Sequence, residues 1–382
     1  MELVFGNHAA AKGAIDAGLR FYAGYPITPS SEIAEELSVE LPKVGGIFIQ
    51  MEDEIGSINA CIGAAYADRV SMTATSGPGF ALMQEGLGLA SMAELPVVIV
   101  DVMRGGPSTG LATLVGEGDL LMAIWGTHGD HPVIVVSPGN VKEFYIYIQK
   151  ALVWAETHRI PAVVLADEVI GHSYQWIDEW PEPIKIPERT KEKVLEVFNK
   201  PEDYLPFATD ENGHIVPLPP IESGIRWHMT GSAHDVDGFP TIMPEKVKRL
   251  IERLWTKVWD IKEELTDYEY LGDNNAEILL MSFASMGMSA KQAYLELKEE
   301  GYKVALFRPR VLWPFPGDDL ADIIRKSNIK KIIIPELNAG QLMFLTKAFL
   351  ADKGLDLEYI GINHQHGEMI SPDEIKEVVY RG

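Results

Sequence analysis

Apolar runs of strand length alternate with helix-patterned segments along most of this chain, and that alternation leaves few folds open. Residues 95–103 are apolar apart from Asp101, and 3–5, 21–24, 47–51, 70–75, 132–136 and 161–166 read as further strands. Helical patterns lie between them at 7–18, 52–68 and 141–158, the first ended by Gly18. Strands as apolar as 95–103 have no wet face, so the sheet must be parallel and covered by helices on both sides. The same alternation returns after residue 276, with strands at 278–283, 303–307, 331–335 and 357–362 and helices at 289–300, 318–326, 340–353 and 372–380. The expected class is α/β, with two parallel-sheet α/β domains at 1–175 and 271–382.

Residues 176–270 have another character. Pro181, Pro183, Pro187, Pro201, Pro206, Pro217, Pro219 and Pro220 cluster there, and periodicity is poor apart from a helix at 190–198. Trp, Tyr and Phe are too frequent for a disordered linker, so this is a Pro-rich connector wrapped on a neighbour. From Pro244 on, Val247, Leu250, Ile251, Leu254, Trp255, Val258, Ile261 and Leu265 recur at helical spacing. They mark an amphipathic helix that packs as a strut between the domains.

The stretch with the least freedom is Tyr25-Pro26-Ile27-Thr28-Pro29-Ser30-Ser31, between the strand at 21–24 and a helical pattern from Glu32. Two prolines remove two backbone donors and rule out a strand interior. Pro29 also pushes Thr28 out of the α region. Ser30 or Ser31 can cap the helix that follows. A rigid turn thus presents a hydroxyl at the carboxyl end of a sheet, where α/β proteins bind ligands. A plain capping turn has the same residues.

Three more constellations accompany it. Arg104 stands where the strand 95–103 ends, within Arg104-Gly105-Gly106-Pro107-Ser108-Thr109-Gly110. Its planar fork suits a carboxylate or phosphate, and an ion pair with Asp101 is the structural alternative. Glu52, Asp53 and Glu54 open a helix, where the macrodipole favours acids. Periodicity sets Glu54 apart, one turn before Ile58 on the face that continues into Cys61 and Ile62. Thr75-Ser76-Gly77-Pro78-Gly79 joins a strand to a helix, and its glycines admit a close backbone or ligand approach. It matches neither the dinucleotide fingerprint nor a phosphate loop.

The histidines favour structure over metal. His128 and His131 lack a third ligand, as do His228 and His234 with Asp235, and His364 and His366 fall at a strand end. Cys61 is the only cysteine, so the chain carries no disulfide, thiolate zinc site or iron–sulfur cluster of its own. The formal charge is 33 minus 56, or −23, which disfavours nucleic acid and anionic membrane as partners. It suits a thermophile or a chain that meets a more basic subunit. The start lacks a signal peptide's basic and apolar regions and no run spans a bilayer, so a cytoplasmic location is expected.

Together these motifs, with His128-Gly129-Asp130 and Glu336-Leu337-Asn338-Ala339-Gly340-Gln341-Leu342, resemble the α subunit of the 2-oxoacid:ferredoxin oxidoreductases, most of all the 2-oxoglutarate type. The resemblance implies a pyrimidine-binding domain of a thiamine diphosphate enzyme at the N-terminus. At the C-terminus it implies a domain like that of transketolase. It places Glu54 at N1′ of the cofactor's aminopyrimidine, with Tyr25, Pro26, Ile27 and Gly77 beside the cofactor. It gives Thr28 and Arg104 the substrate's C1 carboxylate.

That family needs a Gly-Asp-Gly motif for Mg²⁺ and the diphosphate, and Gly272-Asp273-Asn274 and Gly317-Asp318-Asp319 lack its form. The resemblance therefore implies half a site. A β subunit brings Mg²⁺ and diphosphate binding, and γ and δ subunits or fusions bring CoA contacts and 4Fe–4S clusters. A second αβ unit and ferredoxin complete the set. The implied reaction is oxidative decarboxylation of a 2-oxoacid, best 2-oxoglutarate, with CoA to acyl-CoA and CO₂. The alternatives are 2-oxoisovalerate, pyruvate or a broad range of 2-oxoacids. A non-catalytic scaffold and a self-sufficient nucleotide-binding enzyme are the alternatives of other classes.

Overall fold

A computed structural model describes residues 1–210 and 214–381. The expected pair of α/β units is present. The first is built on a seven-stranded sheet in the order Val311–Trp313, Ile134–Val136, Ala162–Asp167, Val97–Met103, Ser71–Thr75, Phe21–Gly24, Ile47–Gln50. All of its pairings are parallel except that of Val311–Trp313 with Ile134–Val136. Side chains of the central strands are buried on both faces, which is why they read as unbroken apolar runs.

The order of these strands positions the site. From Phe21–Gly24 the chain moves outward to Ile47–Gln50, then returns to Ser71–Thr75 on the inner side of its starting strand. The direction of winding reverses there, and a crevice opens at the carboxyl ends of the strands.

The second sheet has five strands, Glu358–Asn363, Lys331–Glu336, Ile278–Met281, Val304–Pro309 and Tyr268–Leu271, with only the last antiparallel. Three strands differ from the expected set. Tyr268–Leu271 is a half-buried edge with polar alternation, and Val311–Trp313 is cut short by Pro314. Tyr174–Ile177 pairs with Glu2–Phe5 in a separate ribbon. Val311–Trp313 follows the second sheet's Val304–Pro309 yet pairs into the first sheet, so one apolar cluster runs through both units.

The connector lies along the first unit. Buried Arg159 donates to the carbonyls of Glu94, Pro206 and Val216, and Arg189 grips Glu156 with two nitrogens. The helix Pro244–Asp260 then packs Trp259 edge-to-face on Trp313, ring centroids 5.2 Å apart.

Buried polar groups join the units. Arg308 forks onto Glu143 at 2.7 and 2.6 Å and reaches Glu269 at 3.0 Å. Asp167 of the first sheet accepts from the Ser285 N–H at 2.9 Å, and Glu117 accepts from the Met286 N–H at 3.4 Å. The helix Ala284–Glu299 starts at these two carboxylates, five residues before the periodic apolar pattern begins. Glu336 in turn accepts from the N–H groups of Leu342 and Met343, at 2.7 and 3.1 Å, at the start of Gln341–Leu350.

Burial dominates at Glu336 and pushes its carboxyl from 4.5 up to about 7, against the pull of the Leu342 and Met343 N–H groups. Between those values the folded chain holds a proton that the unfolded chain releases, so stability falls as pH rises through that window. We expect the melting temperature to decline between about pH 5 and about pH 7, and the decline to be shallower in Glu336→Gln, which cannot titrate. Thermal melts across that range check this, and parallel slopes for the two proteins contradict it.

Candidate functional site

Four loops meet in the crevice, each leaving the carboxyl end of one of four adjacent strands. The turn Tyr25 to Ser31 follows Phe21–Gly24, and Glu54 opens the helix after Ile47–Gln50. Ser76 and Gly77 follow Ser71–Thr75, and Arg104 follows Val97–Met103. The structure thus brings Thr28, Glu54, Gly77 and Arg104 to one end of the sheet.

The turn is held by three donors. The buried Asn7 side chain donates to the Pro29 carbonyl at 2.8 Å and to Glu32 at 2.8 Å. Arg104 Nη1 donates to the Thr28 carbonyl at 2.7 Å, and the Ser30 hydroxyl donates to the Ile27 carbonyl at 2.9 Å. Ser30 is the N-cap residue of Ser31–Glu40 but makes no side-chain cap bond, because its hydroxyl is spent inside the turn. The capping role expected of Ser30 or Ser31 is therefore not played. Tyr25, Pro26 and Thr28 are exposed and Ile27 is half-buried, so the turn offers its surface to the crevice mouth.

Arg104 is buried, yet its fork is not free. Nη2 donates to the Thr109 carbonyl at 3.0 Å while Nη1 holds Thr28, and Nε is left without a partner. The alternative ion pair with Asp101 does not form. The loop beyond Arg104 closes through Gly105 N–H to Leu114 O at 2.9 Å. Gly110, at φ 52, lies where a Cβ would be 2.0 Å from the Gly105 carbonyl.

Glu54 is 5% exposed and shares its helix face with Ile58, Cys61 and Ile62. Asp53 caps that helix, accepting from the Gly56 N–H at 2.6 Å, while Glu52 stays outside it. Glu54 therefore stands as the one acid of the three that is turned inward. A Cβ on Gly79 would lie 2.4 Å from Glu54 Oε1 and 2.3 Å from Thr75 Oγ1. Glycine at 79 is what lets the carboxylate and the strand end meet. The buried hydroxyls of Thr75 and Ser76 have no hydrogen-bond partner.

Beneath them lies a carboxyl pair in which Asp119 had no distinguishing sequence signal. Burial first, then the charge of Asp119, push Asp101 well above the ordinary carboxylate range. Burial also pushes Asp119 up to about 6, against the pull of Asp101 and Arg104. Two carboxyls buried this close resist ionising together, so the pair gives up its protons less readily than isolated acids do.

The second unit backs this loop from behind. The Glu117 N–H donates to the Leu337 carbonyl at 3.1 Å, and Asn338 Nδ2 donates to the Glu117 carbonyl at 2.9 Å. Gln341 donates to the Gly118 carbonyl at 2.6 Å and accepts from the Leu121 N–H at 2.9 Å. The segment Glu336 to Leu342 thus fixes the far end of the Arg104 loop, which its residue types alone did not reveal. His131 Nδ1 lies 3.2 Å from the Gly129 carbonyl in a structured loop, and no cluster of His, Cys, Asp and Glu among the described residues is arranged to hold a metal ion.

Comparison with known proteins gives these features a context. Residues 12–253 match the family described as pyruvate flavodoxin/ferredoxin oxidoreductase, thiamine diphosphate-binding, and residues 276–375 match pyruvate:ferredoxin oxidoreductase core domain II. The chain is 41% identical to the 2-oxoglutarate synthase subunit KorA of Methanocaldococcus jannaschii, over 99% of both chains. It is 38% identical to the KorA subunit of Archaeoglobus fulgidus, over 99% of this chain and 98% of that one. Among solved structures it resembles the 2-oxoglutarate:ferredoxin oxidoreductase from Magnetococcus marinus, with 2-oxoglutarate, coenzyme A and succinyl-CoA bound, at 33% identity and a TM-score of 0.91. That match covers all of this chain, which spans 65% of the longer one. A split-gene transketolase shares the fold at 11% identity and a TM-score of 0.58.

The close approach at Gly79 makes a direct prediction. Gly79→Ala must displace Glu54 or Thr75 and should lower the melting temperature by several degrees. In Gly63→Ala a Cβ meets nothing within 4 Å, and this helix substitution should leave stability unchanged or raise it by about 0.5–1 kcal/mol. Equal melting temperatures for the two variants would contradict the placement of Glu54.

Proposed function

Since the chain belongs to the pyruvate flavodoxin/ferredoxin oxidoreductase family, we propose that it is the α subunit of a 2-oxoacid:ferredoxin oxidoreductase acting on 2-oxoglutarate. The reaction converts 2-oxoglutarate and CoA to succinyl-CoA and CO₂, with the electrons passed to ferredoxin. The observation that carries this reading is the meeting of Glu54, Thr28 and Arg104 at the winding reversal of the first sheet. The relatives named 2-oxoglutarate synthase subunits support the choice of substrate.

The residues fit thiamine diphosphate. A buried acid, a glycine with no room for a Cβ and two unpartnered hydroxyls form a cradle for a planar, hydrogen-bonding ring. When bound, the cofactor supplies the electron sink that decarboxylation of a 2-oxoacid requires. Glu54 would accept a hydrogen bond from the protonated N1′ of the aminopyrimidine. Tyr25, Pro26, Ile27 and Gly77 would wall the ring.

Arg104 and Thr28 hold the C1 carboxylate of the substrate. Nη1 and Nη2 already serve the Thr28 and Thr109 carbonyls and Nε is buried, so an incoming carboxylate meets the exposed Thr28 side chain first. The diphosphate and Mg²⁺ lie on a β subunit, 4Fe–4S clusters and the CoA contacts lie on γ and δ subunits or fusions, and two αβ units pair in the cytoplasm.

In the assembled complex, Glu54→Gln should lower kcat by about 10²–10⁴, the usual value of a positioned proton-holding group. Arg104→Gln should raise KM for the 2-oxoacid by about tenfold or more while leaving KM for CoA unchanged. Steady-state assays of the purified complex with 2-oxoglutarate, 2-oxoisovalerate and pyruvate, CoA and a ferredoxin check both. Full turnover by Glu54→Gln would show that another acid carries the role, and a preference for either other 2-oxoacid would overturn the substrate.

A further inference from the structure

The helix Pro244–Asp260 bears a basic stripe, Lys246, Arg249, Arg253 and Lys257, on a chain of formal charge −23. Three of the four are spoken for. Arg253 forks onto the buried Glu94, Lys257 donates to the same carboxylate at 2.7 Å, and Lys246 pairs with Asp235. Arg249 is exposed and makes no hydrogen bond or ion pair among the described residues. Counting Arg159, which donates to the Glu94 carbonyl, five cations stand here against two carboxylates.

A cavity of about 220 Å³ opens between this helix and the connector, walled by Lys246, Arg249, Arg253, His234, Phe207 and Asp235, whose carboxylate is the one that Lys246 pairs. His234 is 1% exposed and packs on Phe207, ring centroids 4.0 Å apart. Its Nδ1 lies 2.9 Å from the Ser232 carbonyl and so carries the hydrogen that bond needs. Nε2 then presents a lone pair, and it is buried without a partner. Burial also disfavours a second proton on the ring.

A guanidinium without a hydrogen bond of its own and a buried acceptor without a partner, on the wall of one cavity, select a ligand with anionic oxygens and a hydroxyl hydrogen on the same small group. Carboxylates and sulfate at neutral pH have only the oxygens, whereas hydrogen phosphate has both. We propose that this cavity binds a small phosphate that retains its P–OH. Arg249, assisted by Lys246, takes the charged oxygens, and His234 Nε2 accepts from the hydroxyl. The site lies apart from the Glu54 crevice and does not depend on the function proposed for it.

Calorimetric titration of the full chain with inorganic phosphate in phosphate-free buffer near neutral pH tests this. We expect one saturable site per chain, with sulfate bound at least about tenfold more weakly because one charge-assisted contact is lost. Arg249→Gln, on the exposed helix face, should weaken phosphate by a similar factor. His234→Ala should erase the preference for phosphate over sulfate, and Arg249→Gln keeps the test decisive if the histidine variant folds poorly. No saturable phosphate binding, equal affinity for sulfate, or an unchanged Arg249→Gln would each overturn the proposal.

Discussion

The bond from Arg104 Nη1 to the Thr28 carbonyl, 2.7 Å long, ties two strands' loops together, and the site's geometry follows from it. One end belongs to a turn stiffened by two prolines, the other to the end of the longest strand of the sheet, which is buried along its whole length. A charged donor to a carbonyl is among the stronger single hydrogen bonds, and burial of Arg104 raises its worth. Asn7 and Ser30 secure the rest of the turn, so the exposed face of Thr28 has a defined position. In the proposed role this arrangement would settle the orientation of a substrate carboxylate in advance, which is where much of the rate gain in such sites arises.

That tie is only as firm as the loop carrying Arg104, and the loop is held from the second unit. The Leu337 carbonyl and the side chains of Asn338 and Gln341 hydrogen-bond to the backbone of residues 117–121, and Glu117 and Asp167 sit at the start of Ala284–Glu299. Arg308 between Glu143 and Glu269 locks the same pair of units. Buried charges of this kind add less to stability than their number suggests, and their value here lies in fixing one relative placement. The second unit's part here is to hold the loop that carries Arg104.

Much of this could be read from residues. Apolar runs such as 95–103 announced a buried parallel sheet, and the helix Val141–His158 and the last helix Pro372–Tyr380 fall at their expected bounds. Glu54 stood out because its helix face continues into Ile58, Cys61 and Ile62. What escaped is of two kinds. Val311–Trp313 is too short to show a pattern, and its pairing with the distant first sheet is a tertiary event. The employment of Arg104 by backbone carbonyls and the Asp101–Asp119 carboxyl pair depend on which groups meet in space. Sequence gave the residue types of the site, and the fold decided which of their atoms are still available.

We propose that this chain supplies one half of a thiamine diphosphate site, with Glu54 for the pyrimidine and a β subunit for the diphosphate and its metal. Calorimetric titration of thiamine diphosphate with Mg²⁺ into the isolated chain, and then into the complex with its β subunit, tests it most directly. The account predicts no saturable binding by the chain alone and one site per αβ pair in the complex. Tight, Mg²⁺-dependent binding by the lone chain would contradict it.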